Sequence, residues 1–485
     1  MRRPTTSPGV WAGRVLFGLI AISLALASVY WDALGKPWGP GTSAAFAYLM
    51  FGFHLSFLFK RVSPMDPLVW VPVGLLLFYF GMPVVIEWLG VPTPGGYDAW
   101  NANNGGILDR GFCVALLALA AFLWGVHLAG VVDASHPPGP DVPRDRSLGV
   151  PAALFTIGAL IMTAIGIAIV GPSAVFGSYS DWWDSKLLGA DQRFVDTGLM
   201  LSGAGVYALL ASDDPKARWR RWFAYAVMLF CLFVALQKGD RTNMVTIGVG
   251  AGWCYSQRIR KLSWTPVLVA AFCALLAFPV IAEWRQSRRV EAVKRSTVKE
   301  LIGASIYNLG SSVNAIVYTV HLVPDRRPYS WGGTFAAAVV NAIPNVSLTK
   351  GAKWKATDLE DSPSTWITWQ INPGWAASGG GYGFAMAAEW YYNFGTLGVL
   401  LGMALTGFGV TRARNASTRS SLALLWSATL YAATSIWIRN IVGYAFKVAV
   451  WPVIGLWLIR RLVMLMRGRA ARPRTVIRPP APSEL

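Results

Sequence analysis

Residues 111–132 read GFCVALLALAAFLWGVHLAGVV. No Asp, Glu, Lys or Arg interrupts the stretch. A helix crossing a bilayer needs about 20 mainly apolar residues, and this run meets that length. Working outward in both directions, comparable runs recur at 11–31, 43–59, 68–90, 148–171, 194–211, 222–237, 243–257, 264–283, 384–410, 421–437 and 441–460. With 111–132 they make about twelve spans. The expected fold is therefore all-α, a polytopic integral membrane protein. Composition agrees: of the 485 residues only 14% are charged, against about 25% in soluble domains, and the mean hydropathy is +0.44. No internal repeat of fixed period is visible.

The 43 Lys and Arg against 24 Asp and Glu give a formal charge of +19. In a soluble chain such an excess would raise nucleic-acid binding. Here the basic residues alternate with the spans. Arg2, Arg3, Lys60, Arg61, Arg144, Arg146, Lys216, Arg218, Arg220, Arg221, Arg258, Arg260, Lys261, Arg412, Arg414, Arg419 and the tail cations all fall on one side. The positive-inside rule makes that side cytoplasmic, with both termini inside, and no nucleic-acid partner is expected. The chain then divides into spans one to nine at 1–283, a large external loop at 284–383, spans ten to twelve at 384–460, and a basic cytoplasmic tail at 461–485. The loop keeps helical periodicity: Ile306, Leu309, Val313, Val317 and Val320 share a face, and 332–343 is a second candidate. Short helices lying along the external surface are expected from that pattern. Ala25-Leu26-Ala27 in the first span matches a cleavage pattern, and the span is read as retained. Cys113, Cys231, Cys254 and Cys273 show no CxxC spacing, and no His, Cys and carboxylate grouping has metal-ligand spacing.

Four features bring chemistry to the external face. Lys238-Gly239-Asp240-Arg241 forms a turn between spans seven and eight and puts two cations outside; an ordinary charged hairpin reads equally well. Arg285, Arg288 and Arg289 follow span nine. If the helix continues, Arg285 shares a face with the other two, and clustered guanidinium forks match phosphate oxygens; a solvated loop start is the alternative. Gly379, Gly380 and Gly381 lead into span ten, where backbone N–H groups and a helix start favour an anion, or where the chain is simply a linker. Finally, Glu87, Glu283, Glu389, Arg439 and Lys447 stand at or below the external membrane surface. Intramembrane charges usually face a bundle interior; Glu87 and Glu283 can instead reach the interface from helix ends. His54 and His127 lie in spans, where hydrogen-bonded packing is expected. His321, in the external loop, is a candidate base.

Taken together these residues resemble the O-antigen polymerase (Wzy-type) family, related to the O-antigen ligases. The span count and the loop between spans nine and ten are similar to that family over most of the chain. Gly239-Asp240-Arg241-Thr242 is similar to its Gly-x-Arg turn. Val323-Pro324, Tyr329, Gly332 and Ile343-Pro344 resemble its loop segment. Residues 381–398, GYGFAMAAEWYYNFGTLG, resemble its glycine-rich lead-in, Glu and Phe-Gly-x-x-Gly helix. After Pro344 this chain has Asn345 where the family commonly has Arg, so no loop arginine is carried over. The resemblance implies a GT-C-like membrane glycosyltransferase of the bacterial inner membrane, independent of metal and of any cofactor. It would polymerise undecaprenyl-pyrophosphate-linked oligosaccharide repeat units at the periplasmic face, beside a flippase and a chain-length regulator of the same pathway. On that basis Glu389, Arg241 and Arg285 are the catalytic candidates. Arg288, Arg289, Arg439, Lys238, Gly380 and Gly381 are candidates for pyrophosphate binding, and Glu283 and His321 are further possible bases. A ligase that transfers glycan to a lipid A core, or a polyprenyl-glycan transporter, are the alternatives. The absence of an internal repeat counts against the transporter.

Overall fold

The computed structural model describes residues 8–34, 38–58, 62–91, 105–131, 146–177, 192–212, 218–238, 240–287, 298–343, 362–377 and 381–470. Among these there is no strand. The helices are α1 (Pro8–Val29), α2 (Pro40–Leu58), α3 (Pro67–Pro83, extended by a π-helical turn to Trp88), α4 (Gly105–Ala129), α5 (Gly149–Val170), α6 (Pro172–Phe176), α7 (Arg193–Ala211), α8 (Arg218–Lys238), α9 (Arg241–Arg258), α10 (Trp264–Ser287), α11 (Val298–Gly310), α12 (Val313–Leu322), α13 (Gly333–Ala342), α14 (Pro363–Ile371), α15 (Pro373–Ala377), α16 (Met386–Ala416), α17 (Ser421–Trp437) and α18 (Val442–Ala470). Among the described residues nine helices are long and apolar enough to cross a membrane: α1 to α5, α7, α8, α16 and α18. The protein is thus an all-α, multi-pass membrane protein. The other three expected spans coincide with α9, α10 and α17, of 18, 24 and 17 residues. Helix α18 runs on to Ala470, so the first part of the expected tail is helical; residues 471–485 lie outside the described part.

The core is organised around α4, whose residues 112–123 are all buried. It packs against α16, α1, α12 and α2. Helices in a bilayer gain nothing from hiding apolar surface from lipid, so association depends on close contact. Two glycines provide it. A Cβ on Gly125 would stand 1.9 Å from the Ala404 carbonyl oxygen, and one on Gly407 would stand 2.1 Å from that of Phe122. Only glycine lets α4 and α16 meet backbone to backbone.

At the C-terminal end of α16 a buried carboxylate and guanidinium are paired. Asp66 caps α3, its Oδ1 accepting from the Leu68 N–H at 3.0 Å. Its Oδ2 accepts from Arg414 Nε at 3.0 Å and Nη2 at 2.8 Å. Both side chains are essentially inaccessible. A cation in the last turn of α16 also suits the helix dipole. Nearby, His54 Nε2 contacts the Leu68 carbonyl at 3.0 Å, and His54 Nδ1 meets His127 Nε2 at 3.3 Å. The carbonyl can only accept, so a neutral pair has one arrangement: His54 donates to Leu68 and His127 donates to His54. Hydrogen-bonded packing is what the sequence led us to expect of these two.

Two expectations about the external loop and span ten change. The face running from Ile306 to Val320 is split between α11 and α12, which join at Ser311-Ser312. Helix α12 does not lie on the surface: every residue from Val313 to Leu322 except His321 is buried, against α4, α16, α3 and α14. Its apolar periodicity marked a helix, but Asn314 and Thr319 are buried too, so the whole circumference is packed. Span ten is not one continuous helix. Gly395 has φ 64° and ψ −154°, which divides α16 into a short segment, 386–394, and a long one, 396–416. The long segment alone is about 30 Å at 1.5 Å per residue, enough to cross the hydrocarbon core.

Candidate active site

The break at Gly395 builds the site. A residue with a Cβ is disfavoured at this φ, and a Cβ there would stand 2.9 Å from the Tyr329 hydroxyl oxygen. Beyond the break, the ring of Trp390 lies against Gly402, where a Cβ would come within 2.1 Å of it. The short segment therefore folds onto the long one. A broken helix exposes carbonyls that lipid cannot satisfy. Here a loop satisfies them: the Ser330 N–H donates to the Tyr392 carbonyl at 3.0 Å, and the Trp331 N–H to the Asn393 carbonyl at 3.1 Å. Asn393 reinforces the junction. Its Oδ1 accepts from the Gly332 N–H at 3.0 Å, and its Nδ2 donates to Thr334 Oγ1 at 2.7 Å and to the Glu389 carbonyl at 2.8 Å. The loop segment around Tyr329 and Gly332 and the 381–398 stretch, far apart in sequence, are thus one unit.

Glu389 sits in the first turn of the short segment, fully buried. Its Oε2 accepts from Trp437 Nε1 and from the Val442 N–H, each at 2.7 Å. Trp437 ends α17 and Val442 begins α18, so the carboxyl group joins three helix ends. Two of them are N-termini, which favour negative charge. Its Oε1 is buried with no hydrogen bond of ordinary length. The Thr334 hydroxyl faces the carboxyl group; its oxygen accepts from Asn393, which leaves its proton available. Phe335, Trp390, Phe394 and Trp437 wall this region, with Phe335 4.6 Å from Trp390 and Trp437 5.8 Å from Trp390, centroid to centroid.

Cations surround the same end. Arg439 lies in the α17–α18 turn, between Trp437 and Val442, half-buried, with its guanidinium 5.8 Å from the Phe78 ring. Gly383 passes the Arg439 carbonyl closely: a Cβ would lie 3.4 Å from it. This brings the approach through Gly381, which is exposed, to the turn beside Glu389. Arg327 is held between two aromatic rings, 5.3 Å from Trp366 and 5.5 Å from Tyr392, a cation–π arrangement that fixes a guanidinium without using its donors. Arg110, in the second turn of α4, interacts electrostatically with Tyr391, and its Nε is buried without a hydrogen bond.

The structure brings together Glu389, Arg439 and Gly381 among the residues singled out from sequence. It places Lys238 in a different setting: its ammonium is buried against Asp196 and lies 3.8 Å from Asp240, so its charge is matched by two carboxylates. Asp240 caps α9, accepting from the Asn243 N–H at 3.1 Å. Arg241 is the first residue of α9; Glu283 and Arg285 lie in the last turns of α10, which does continue as far as Ser287. The side chains of these three, and the whole of Arg288, Arg289 and Gly380, lie outside the described residues. His321 is exposed at the C-terminal end of α12. Among the described residues no three His, Cys, Asp or Glu are grouped to hold a metal. Sequence reasoning missed Arg327, Arg110, Asn393 and Trp437. Two carried a signal: Arg327 stands two residues before Tyr329, in a segment already singled out, and Asn393 stands one helical turn after Glu389.

A protein-family model described as O-antigen polysaccharide polymerase Wzy matches residues 198–467, more than half of the chain. The match runs from α7 to α18 and includes both the loop segment and the broken helix. No curated protein and no solved structure matches.

Proposed function

The chain belongs to the Wzy family of O-antigen polysaccharide polymerases, and from that premise we propose that it joins undecaprenyl-pyrophosphate-linked oligosaccharide repeat units by glycosyl transfer at the periplasmic face of the inner membrane, with Glu389 as the base. The family makes it a polymerising, glycosyltransferase-like enzyme acting on a lipid-linked oligosaccharide. In the proposed reaction a hydroxyl oxygen of one lipid-linked unit attacks the anomeric carbon of another. The bond from that carbon to the pyrophosphate oxygen breaks, and its electron pair leaves with undecaprenyl pyrophosphate. The hydroxyl proton passes to Glu389 Oε1. Pyrophosphate is a good leaving group, so what the site must supply is a proton acceptor and cationic stabilisation of the departing oxygens. Arg327, Arg439 and Arg110 supply that charge near the broken helix, with Arg241, Arg285, Arg288 and Arg289 as further candidates. A flippase and a chain-length regulator are the proposed partners, and both termini are cytoplasmic.

The observation that carries this reading is the asymmetry of the Glu389 carboxyl group. Trp437 and Val442 anchor Oε2, while the buried Oε1 has no hydrogen bond of ordinary length and the Thr334 hydroxyl faces the group. An anchored oxygen positions the group, and its less tightly held neighbour can take a proton. Glu389→Gln keeps the shape and an acceptor for Trp437 but removes the basicity. In vesicles containing purified protein and a defined lipid-linked repeat unit, with products sized by mass spectrometry, it should lower kcat at least about 100-fold, the lower range for loss of a general base. Wild-type polymerisation by the Gln variant would rule out Glu389 as the base.

A further inference from the structure

Trp331 combines two features that are each uncommon for a large aromatic residue. It is the most exposed large hydrophobic side chain among the described residues, at 76%. It is also the one non-glycine residue among them with positive φ, at 49°, a conformation that disfavours L residues with large side chains. Such strain persists where the surroundings over-determine it, and it concentrates at functional sites. Here the determinants are plain. The Trp331 N–H is held by the Asn393 carbonyl and the next N–H by Asn393 Oδ1, while Asn393 Nδ2 holds the Glu389 carbonyl. The Trp331 backbone is therefore tied, through Asn393, to the residue bearing the proposed base. Tyr329 and Phe394 meet it at 6.2 and 6.3 Å with steep interplanar angles of 77° and 70°; they brace the ring and leave it open.

Two occupants suit an open indole at a membrane protein's edge: lipid and sugar. The surroundings favour sugar. The segment leading to it exposes Pro324, Asp325 and Arg326, so the chain approaching Trp331 is polar and charged rather than apolar. The exposed apolar residues of α13, Val339, Val340 and Ile343, lie towards the far end of that helix. The axial C–H face of a pyranose matches the electron-rich face of an indole, and an uncharged platform complements arginines that engage phosphate. We propose that Trp331 is a stacking platform for a pyranose ring of the bound glycan, kept in register with Glu389 through Asn393. The inference rests on the polymerase reading above.

The test uses the full-length protein in vesicles with a defined lipid-linked repeat unit. Trp331→Gly removes the ring, keeps the N–H bonded to Asn393, and suits the positive φ, so its fold is not at risk. It should raise KM about tenfold with kcat within about twofold, the scale of one lost aromatic contact. Trp331→Phe retains a flat face and should stay within about threefold of wild type. A wild-type KM in Trp331→Gly overturns the platform, as does a Phe variant as impaired as the Gly variant. If wild-type protein forms no polymer from the same substrate, the polymerase reading falls; if it does and Trp331→Gly matches it, only the platform falls.

Discussion

The two ends of α16 both bury charge, and they do so in opposite ways. At the C-terminal end Asp66 is saturated: one oxygen caps α3 and the other takes two bonds from Arg414. The adjacent His54–His127 pair passes its hydrogen bonds in one direction to a backbone carbonyl. At the N-terminal end Glu389 uses one oxygen and leaves the other without an ordinary bond. Arg327 and Arg110 approach without an ion pair among the described residues. A buried charge that is fully matched holds helices together; Glu389, with one oxygen anchored and the Thr334 hydroxyl facing the group, is the one proposed to carry a proton. On the proposed reading, the comparison separates architecture from chemistry along a single helix.

Four substitutions would break or sharpen that contrast. The largest effect is expected at the saturated end. Asp66→Ala strands Arg414 in the core, and removing one partner of a buried pair typically destabilises by about 3–5 kcal/mol; thermal unfolding in detergent should show a large fall in melting temperature. If stability held, the Arg414 end would not be the anchor described. Next comes the break. Gly395→Ala forces a disfavoured φ, at about 1–3 kcal/mol, and drives a methyl group against Tyr329, so polymer synthesis should fall further than stability does. Equal losses in both would show that the break is architectural only.

Asn393→Ala removes three side-chain hydrogen bonds around the loop junction. One such bond is worth about 1 kcal/mol net, so a modest loss of stability is expected, together with faster proteolysis within 324–332. Unchanged cleavage there would mean that the two backbone bonds from Ser330 and Trp331 suffice. The smallest effect is expected for Arg327→Lys. Charge is kept, but the planar group between Trp366 and Tyr392 is lost, a difference of about 0.5–1 kcal/mol. It should read as a few-fold rise in KM at constant melting temperature. A fall in melting temperature without a change in KM would make Arg327 part of the packing.

Legibility in the sequence followed the physics of each residue. Glu389 could be found because a carboxyl group inside an apolar run is costly and therefore conspicuous. Arg439 could be found for the same reason, since it sits between spans on the less basic side. Arg327 could not: an arginine in a polar turn is ordinary until Trp366 and Tyr392, from two other segments, close around it. The break at Gly395 was equally hidden. Single glycines are common in membrane helices, and neither the composition nor the hydropathy of 384–410 distinguishes a tolerated glycine from a positive φ. The periodicity of α12 predicts a helix but not its buried environment, because it reports one apolar face and is silent about a partner on the opposite side.

By itself the sequence determined the solvent. Apolar runs long enough to cross hydrocarbon, with basic residues gathered between them, leave an all-α membrane protein as the stable solution, because a backbone in lipid must satisfy its own hydrogen bonds. It also marked Glu389 as a carboxyl group inside an apolar run, where charge is costly. The tertiary structure alone decided what that group could do. Only when the helix breaks at Gly395, Ser330 and Trp331 cap the freed carbonyls, and two further helix ends converge on one oxygen of Glu389, does the other oxygen become available. Those contacts join positions up to 62 residues apart along the chain, and no local rule of composition or spacing carries that information.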